Sequence, residues 1–105
     1  MLLRVFDPPE CSKPRVVAED PSPAIIASTV LGLEWSDITF VELWVDDDHL
    51  MCGSGSLQYG LAMSWFVDGK HLVSDRPLVS LEEMVSLLQS YRAGDSRWRE
   101  VIGWG

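Results

Sequence analysis

The sequence predicts an α+β domain: an antiparallel β-meander of three to five strands, with one N-terminal and one C-terminal helix packed on the sheet. Three observations carry this expectation. Residues 57–67 place Leu57, Tyr59, Leu61, Met63, Trp65 and Val67 on one face, with mostly small or polar residues between them. Asp68-Gly69 follows as a two-residue hairpin signal. Ser22-Pro23 and Ser80-Leu81-Glu82-Glu83 are helix starts, one with proline at the first helical position and one with a capping-box spacing. At 105 residues the chain suits one domain, 1–105, and leaves no room for a second core.

In chain order, Leu2–Phe6 predicts a short strand and Asp7–Pro14 a loop, since its three prolines remove donors and fix φ. Arg15–Ala18 predicts a second short strand. Ile26, Val30 and Leu33 recur at helical spacing, which predicts a helix over 23–32 that ends near Gly32. Ile38–Val45 is rich in β-branched and aromatic residues and predicts a strand, with Asp46–Asp48 as its turn. His49–Cys52 starts the return strand, and Gly53-Ser54-Gly55-Ser56 predicts a bulge or bend that interrupts it. Lys70–Ser74 pairs back from the Asp68-Gly69 turn. Leu81, Met84, Val85, Leu88 and Tyr91 predict the second helix, stopped by Gly94. Arg97–Ile102 predicts a short amphipathic tail docked by Trp98, Ile102 and Trp104.

The formal net charge is −8, from 8 basic and 16 acidic side chains. Residues 1–56 hold three basic and ten acidic side chains, or −7; residues 57–105 hold five and six, or −1. Such a chain is poorly suited to direct contact with nucleic acid or anionic membrane, because phosphate contacts need Lys and Arg. It suits a basic protein partner. Cys11 and Cys52 form no framework spacing and read as free thiols of a reducing compartment, so the expected location is the cytoplasm. No apolar run reaches the length of a membrane span.

The chemical candidates fail on spacing. After Asp46 the sixth position of a calcium loop is Met51 and the twelfth Leu57, where a glycine and a glutamate are needed. Gly53–Ser56 makes neither a nucleophile elbow nor a dinucleotide loop. Ser64, His71 and Asp75 could be drawn as a triad, as in most chains. The expectation is therefore a binding protein and not an enzyme, with no cofactor and no metal. Five tryptophans in 105 residues point the same way. Trp35 and Trp44 could be core; the sharper reading makes them interface anchors rimmed by carboxylates, since tryptophan dominates binding hot spots. The expected contact region is Glu34, Trp35, Asp37, Glu42, Trp44, Asp46, Asp47, Asp48 and His49.

The run Val41–Gly55, with its aliphatic strand, acidic turn and glycine-rich return, resembles the central strand pair of bacterial immunity proteins of the Imm1 type. Leu61–Val73 resembles their following hairpin, Ser80–Gly94 their C-terminal helix, and Arg97-Trp98 with Gly103-Trp104 their closing stretch. The resemblance covers roughly residues 38–104. It implies a non-enzymatic cytoplasmic inhibitor that forms a one-to-one complex with a cognate interbacterial toxin domain, often a nucleic-acid deaminase or nuclease. An adaptor that binds a secreted effector without inhibiting it is the alternative.

Overall fold

A computed structural model describes residues 1–7 and 13–105. Cys11 and most of the loop expected at Asp7–Pro14 lie outside the described residues. The elements are β1 (Leu2–Phe6), β2 (Arg15–Glu19), α1 (Pro23–Gly32), β3 (Thr39–Asp46), β4 (His49–Ser56), β5 (Gly60–Val67), β6 (Lys70–Val73), α2 (Leu81–Ala93) and α3 (Arg97–Glu100). The fold is α+β, with a six-stranded antiparallel sheet ordered β2-β1-β3-β4-β5-β6. The expected three to five strands and simple meander are corrected in two ways. There are six strands, and β1 lies between β2 and β3, so only β3 to β6 form a meander. The reason is the crossover: β2 leads into α1, and the chain then returns to pair β3 with the free edge of β1.

Both main helices open as their sequences dictate. The Ser22 hydroxyl accepts from the Ile25 amide at 3.2 Å with Pro23 at the helix start, and the Ser80 hydroxyl accepts from the Glu83 amide at 3.1 Å. The return arm of the capping box is different: Glu83 accepts from the Val79 amide and forms a two-pronged pair with Arg76 at 2.9 and 2.8 Å. Gly94 ends α2 in the left-handed conformation, φ 75°. Leu33 caps α1 in extended conformation, so Gly32 supplies no left-handed cap.

One face of the sheet meets the helices. Leu3, Val5, Val41, Leu43, Met51 and Met63 join Ile26, Val30, Met84, Leu87 and Leu88 in the core. Gly53 lies on this face opposite Val41 and Met63, and a Cβ there would sit 2.5 Å from Met84 Sδ. The glycine thus admits α2 close to β4. No interruption occurs at Gly53–Ser56: β4 pairs residue for residue with β5 throughout. The chain turns instead at residues 57–59, so Leu57 and Tyr59 are exposed and do not extend the buried face of β5. Alternation persists one turn past the strand because it carries no stop signal of its own.

The opposite face has no helix over it. Across its width the register aligns Leu2, Trp44, Leu50, Phe66 and His71 in one row, and Arg4, Glu42, Cys52 and Ser64 in the next. At the β6 edge the C-terminal residues add a bridge: Val73 and Gly105 exchange amide-to-carbonyl bonds of 3.2 and 2.9 Å. This edge is therefore partly closed to further pairing.

Candidate functional site

The nine residues of the expected contact region do not form one patch. β3 is eight residues long, which at roughly 3.3 Å per residue separates its ends by about 25 Å. Glu34, Trp35 and Asp37 precede one end; Asp46, Asp47, Asp48 and His49 turn at the other. Trp35 is corrected from surface anchor to core residue. It is 2% exposed, and its indole N–H donates to the Val30 carbonyl at 2.7 Å. In the last turn of α1 that carbonyl accepts only the long Leu33 amide bond of 3.4 Å, which leaves it room for a second donor, and the apolar core holds the ring against it. Glu34 and Asp37 are exposed but serve their own loop: Glu34 accepts from the Ser36 hydroxyl at 2.7 Å and Asp37 from the Ile38 amide at 2.8 Å.

Glu42 and Trp44 lie on the open face of the sheet. Glu42 accepts from Arg4 Nε at 2.5 Å and from Trp44 Nε1 at 3.1 Å. The Arg4 guanidinium lies over the rings of Phe6 and Trp44 at 5.5 and 5.3 Å. Glu42 is thus already neutralised within the chain, while Trp44 presents a half-buried ring to solvent.

The hairpin tip is a compact acidic unit. Asp46 Oδ1 accepts from the Asp48 amide at 2.8 Å and contacts His49 Nδ1 at 2.7 Å. Asp68, from the neighbouring β5–β6 turn, comes within 3.7 Å of His49 Nε2, and its amide donates to the Asp48 carbonyl. Asp68 was not foreseen; antiparallel pairing of His49 with Val67 brings it there. The hydrogen bond to Asp46, reinforced by the charges of Asp46, Asp68 and Asp48, holds the His49 pKa above its ordinary value. The same bond, with the Asp48 amide, holds Asp46 below its own.

Beside this tip an open cleft of about 430 Å³ runs between β3–β4 and the α2–α3 corner. Asp46 and His49 line one wall; Tyr91, Asp95, Trp98 and Arg99 line the other. Asp95 accepts from the Ser90 hydroxyl and the Arg97 amide, which keeps its carboxyl below the usual range. The second wall was missed because nothing local marks it: helix-spaced Tyr91 and Trp98 read as core.

The remaining candidates are otherwise engaged. Burial pushes the Cys52 thiol up to about 12, assisted by the charge of Glu42, which suppresses the thiolate a nucleophile needs. His71 stacks on Phe66 with centroids 4.2 Å apart. No hydrogen bond joins Ser64, His71 and Asp75 among the described residues, and no group of three His, Cys, Asp or Glu there could hold a metal ion. No described helix is long and apolar enough to cross a membrane. Comparison of the chain with family models, with curated proteins and with solved structures returns no match.

Proposed function

We propose that this chain is an immunity protein. It binds a cognate interbacterial toxin domain of the nucleic-acid deaminase or nuclease class, one to one in the cytoplasm, and blocks its active site or substrate entry. The observation that carries the reading is the exposed carboxylate group of Asp46, Asp47, Asp48 and Asp68, gathered where the β3–β4 and β5–β6 turns meet at one end of the sheet. A toxin that handles nucleic acid carries a basic cleft, and such an array suits it in sign and in shape. Trp44 adds a rigid aromatic surface beside the carboxylates. The contact region reduces to Trp44, Asp46, Asp47, Asp48 and His49, with Asp68 added.

The test is co-expression with the toxin domain encoded beside this protein, scoring viability and co-purification. Protection with a stable complex is expected. The triple substitution D46K/D47K/D48K should lower the association rate by about tenfold or more at low salt, and the deficit should shrink as salt is raised. A stable complex without protection would assign an adaptor instead. Neither protection nor complex would overturn the proposal.

A further inference from the structure

The helices cover one face of the sheet, and among the described residues no helix packs over the other. The uncovered face carries exposed apolar side chains as one surface. Phe40, Phe66, Val16 and Val73 are 38%, 36%, 57% and 38% exposed. The register places all four there. Val16 and Val73 share the row of Arg4, Glu42, Cys52 and Ser64, while Phe40 pairs with Phe6, and Phe66 with Leu50 and His71. Leu2, Phe6 and Trp44 are half-buried among them. The rings brace one another: Phe6 meets Phe40 edge-on at 6.4 Å, and Phe66 stacks on His71 at 4.2 Å. Monomers seldom leave a contiguous apolar patch larger than roughly 300–600 Å² uncovered, so such a face calls for an occupant.

Size, charge and shape suit a second copy of this chain. Six strands of four to eight residues, about 4.8 Å apart and about 3.3 Å per residue, make a face of about 600 Å² in plan. Its projecting rings bring the accessible area toward the roughly 800 Å² per partner that a specific complex buries. On the inner strands β1, β3, β4 and β5 the face carries two charged side chains, Arg4 and Glu42, and these pair with each other at 2.5 Å. It is therefore neutral there, in a chain of net charge −8. Asp46 and His49 line the cleft at the α2–α3 corner, which keeps the acidic tip to the helix side of the sheet. A basic partner finds no open carboxylate on these strands, whereas two copies meet without like charges opposed. A two-fold contact must also be self-complementary. Two apolar sheet faces satisfy that by stacking about 10 Å apart with their strands crossing at about 30°.

We infer that the helix-free sheet face is a self-association surface, through which two copies of this chain form a weak dimer. The inference does not rest on the immunity reading. Trp44 lies in the tip-side row of the face, so dimer and toxin compete for it. The test is sedimentation equilibrium of the whole chain from about 5 to about 500 µM, since a face of this size suits a micromolar dissociation constant. The dimer should tighten about threefold or more from low to high salt, because salt screens the repulsion of two acidic chains; the toxin complex should loosen over the same range. F40Q/F66Q alters the inner strands β3 and β5 and should weaken the dimer about tenfold or more. V16Q/V73Q, at the two sides of the same face, should weaken it as well and serves if the first variant loses its native circular dichroism. L57Q/Y59Q, at the more exposed turn between β4 and β5, should leave it unchanged. A monomer across the whole range, a dimer that loosens with salt, or a dimer unmoved by the face variants would overturn the surface; the last of these would assign pairing through a sheet edge instead. Toxin binding by a chain that stays monomeric overturns the dimer and leaves the immunity reading intact. A dimer without any toxin complex overturns the immunity reading and leaves the face.

Discussion

Strand β3 has tryptophan and carboxylates near both of its ends, and the two ends are built differently. At the Trp35 end, buried polar groups are satisfied by backbone carbonyls. The indole donates to Val30, the hydroxyl of fully buried Thr39 donates to the Glu34 and Asp37 carbonyls, and the Leu57 amide reaches the Trp35 carbonyl at 2.8 Å. At the Trp44 end the bonds run between side chains, and most of them are wet: Trp44 on Glu42, His49 on Asp46 and Asp68. The difference teaches that an aromatic beside carboxylates has no fixed role. A nearby helix end with a carbonyl that can accept a second donor makes it core; an open sheet face leaves it available to a partner.

The largest expected effect tests that contrast directly. Trp35→Ala should cost about 3–5 kcal/mol, the usual range for emptying a buried aromatic site. Trp44→Ala, on the open face, should cost no more than about 2 kcal/mol. Urea unfolding of both variants measures this, and equal losses would erase the distinction between the two ends.

A smaller effect sharpens the account of the Trp35 end. Gly55 pairs with Thr39 and has φ 114°, and a Cβ there would collide with the Gly60 carbonyl. Gly60 has φ 109° but open space around it. Gly60→Ala should therefore cost about 1–3 kcal/mol from backbone strain alone. Gly55→Ala should exceed it in the same thermal or urea assay. If the two match, close approach of the strands is not what requires glycine there.

The smallest effect concerns the tip and is read by titration. The His49 pKa should lie above its ordinary value of 6.5 and fall back toward it in D46N, as followed by imidazole NMR signals. The sign of the linkage is fixed by both partners. The raised His49 pKa contributes stability below 6.5 that is lost as pH rises through the folded value, and the depressed Asp46 pKa contributes stability above 3.8 that is lost as pH falls through its folded value. The pair is therefore fully formed between about pH 4 and 6.5. Both groups are solvent-exposed, so global stability should change little across that window. An unshifted His49 would leave the tip as a loose group of carboxylates.

Much of the fold was legible along the chain. The helix over 23–32, the β3 strand within a residue of its observed start and end, the Asp68-Gly69 turn and the Ser80 cap all follow from contacts two to four residues apart. The glycine stretch was misread because its cause is distant: Met84 of α2 packs on Gly53 and the Gly60 carbonyl on Gly55. Half of the candidate site was legible for the same reason. Asp46–His49 is one turn, whereas Asp68, Tyr91, Asp95 and Arg99 arrive from the β5–β6 turn, α2, the α2–α3 turn and α3.

The amino-acid order by itself determined the caps, the strand alternation, the tight turns and the acidic balance, because each is set by a residue and its near neighbours. Tertiary structure alone decided that β1 lies between β2 and β3, that Trp35 is core while Trp44 meets solvent, and that Asp68 joins the acidic tip. Those outcomes depend on which backbone carbonyl or side chain stands opposite a given group after packing, and spacing in the chain does not specify that.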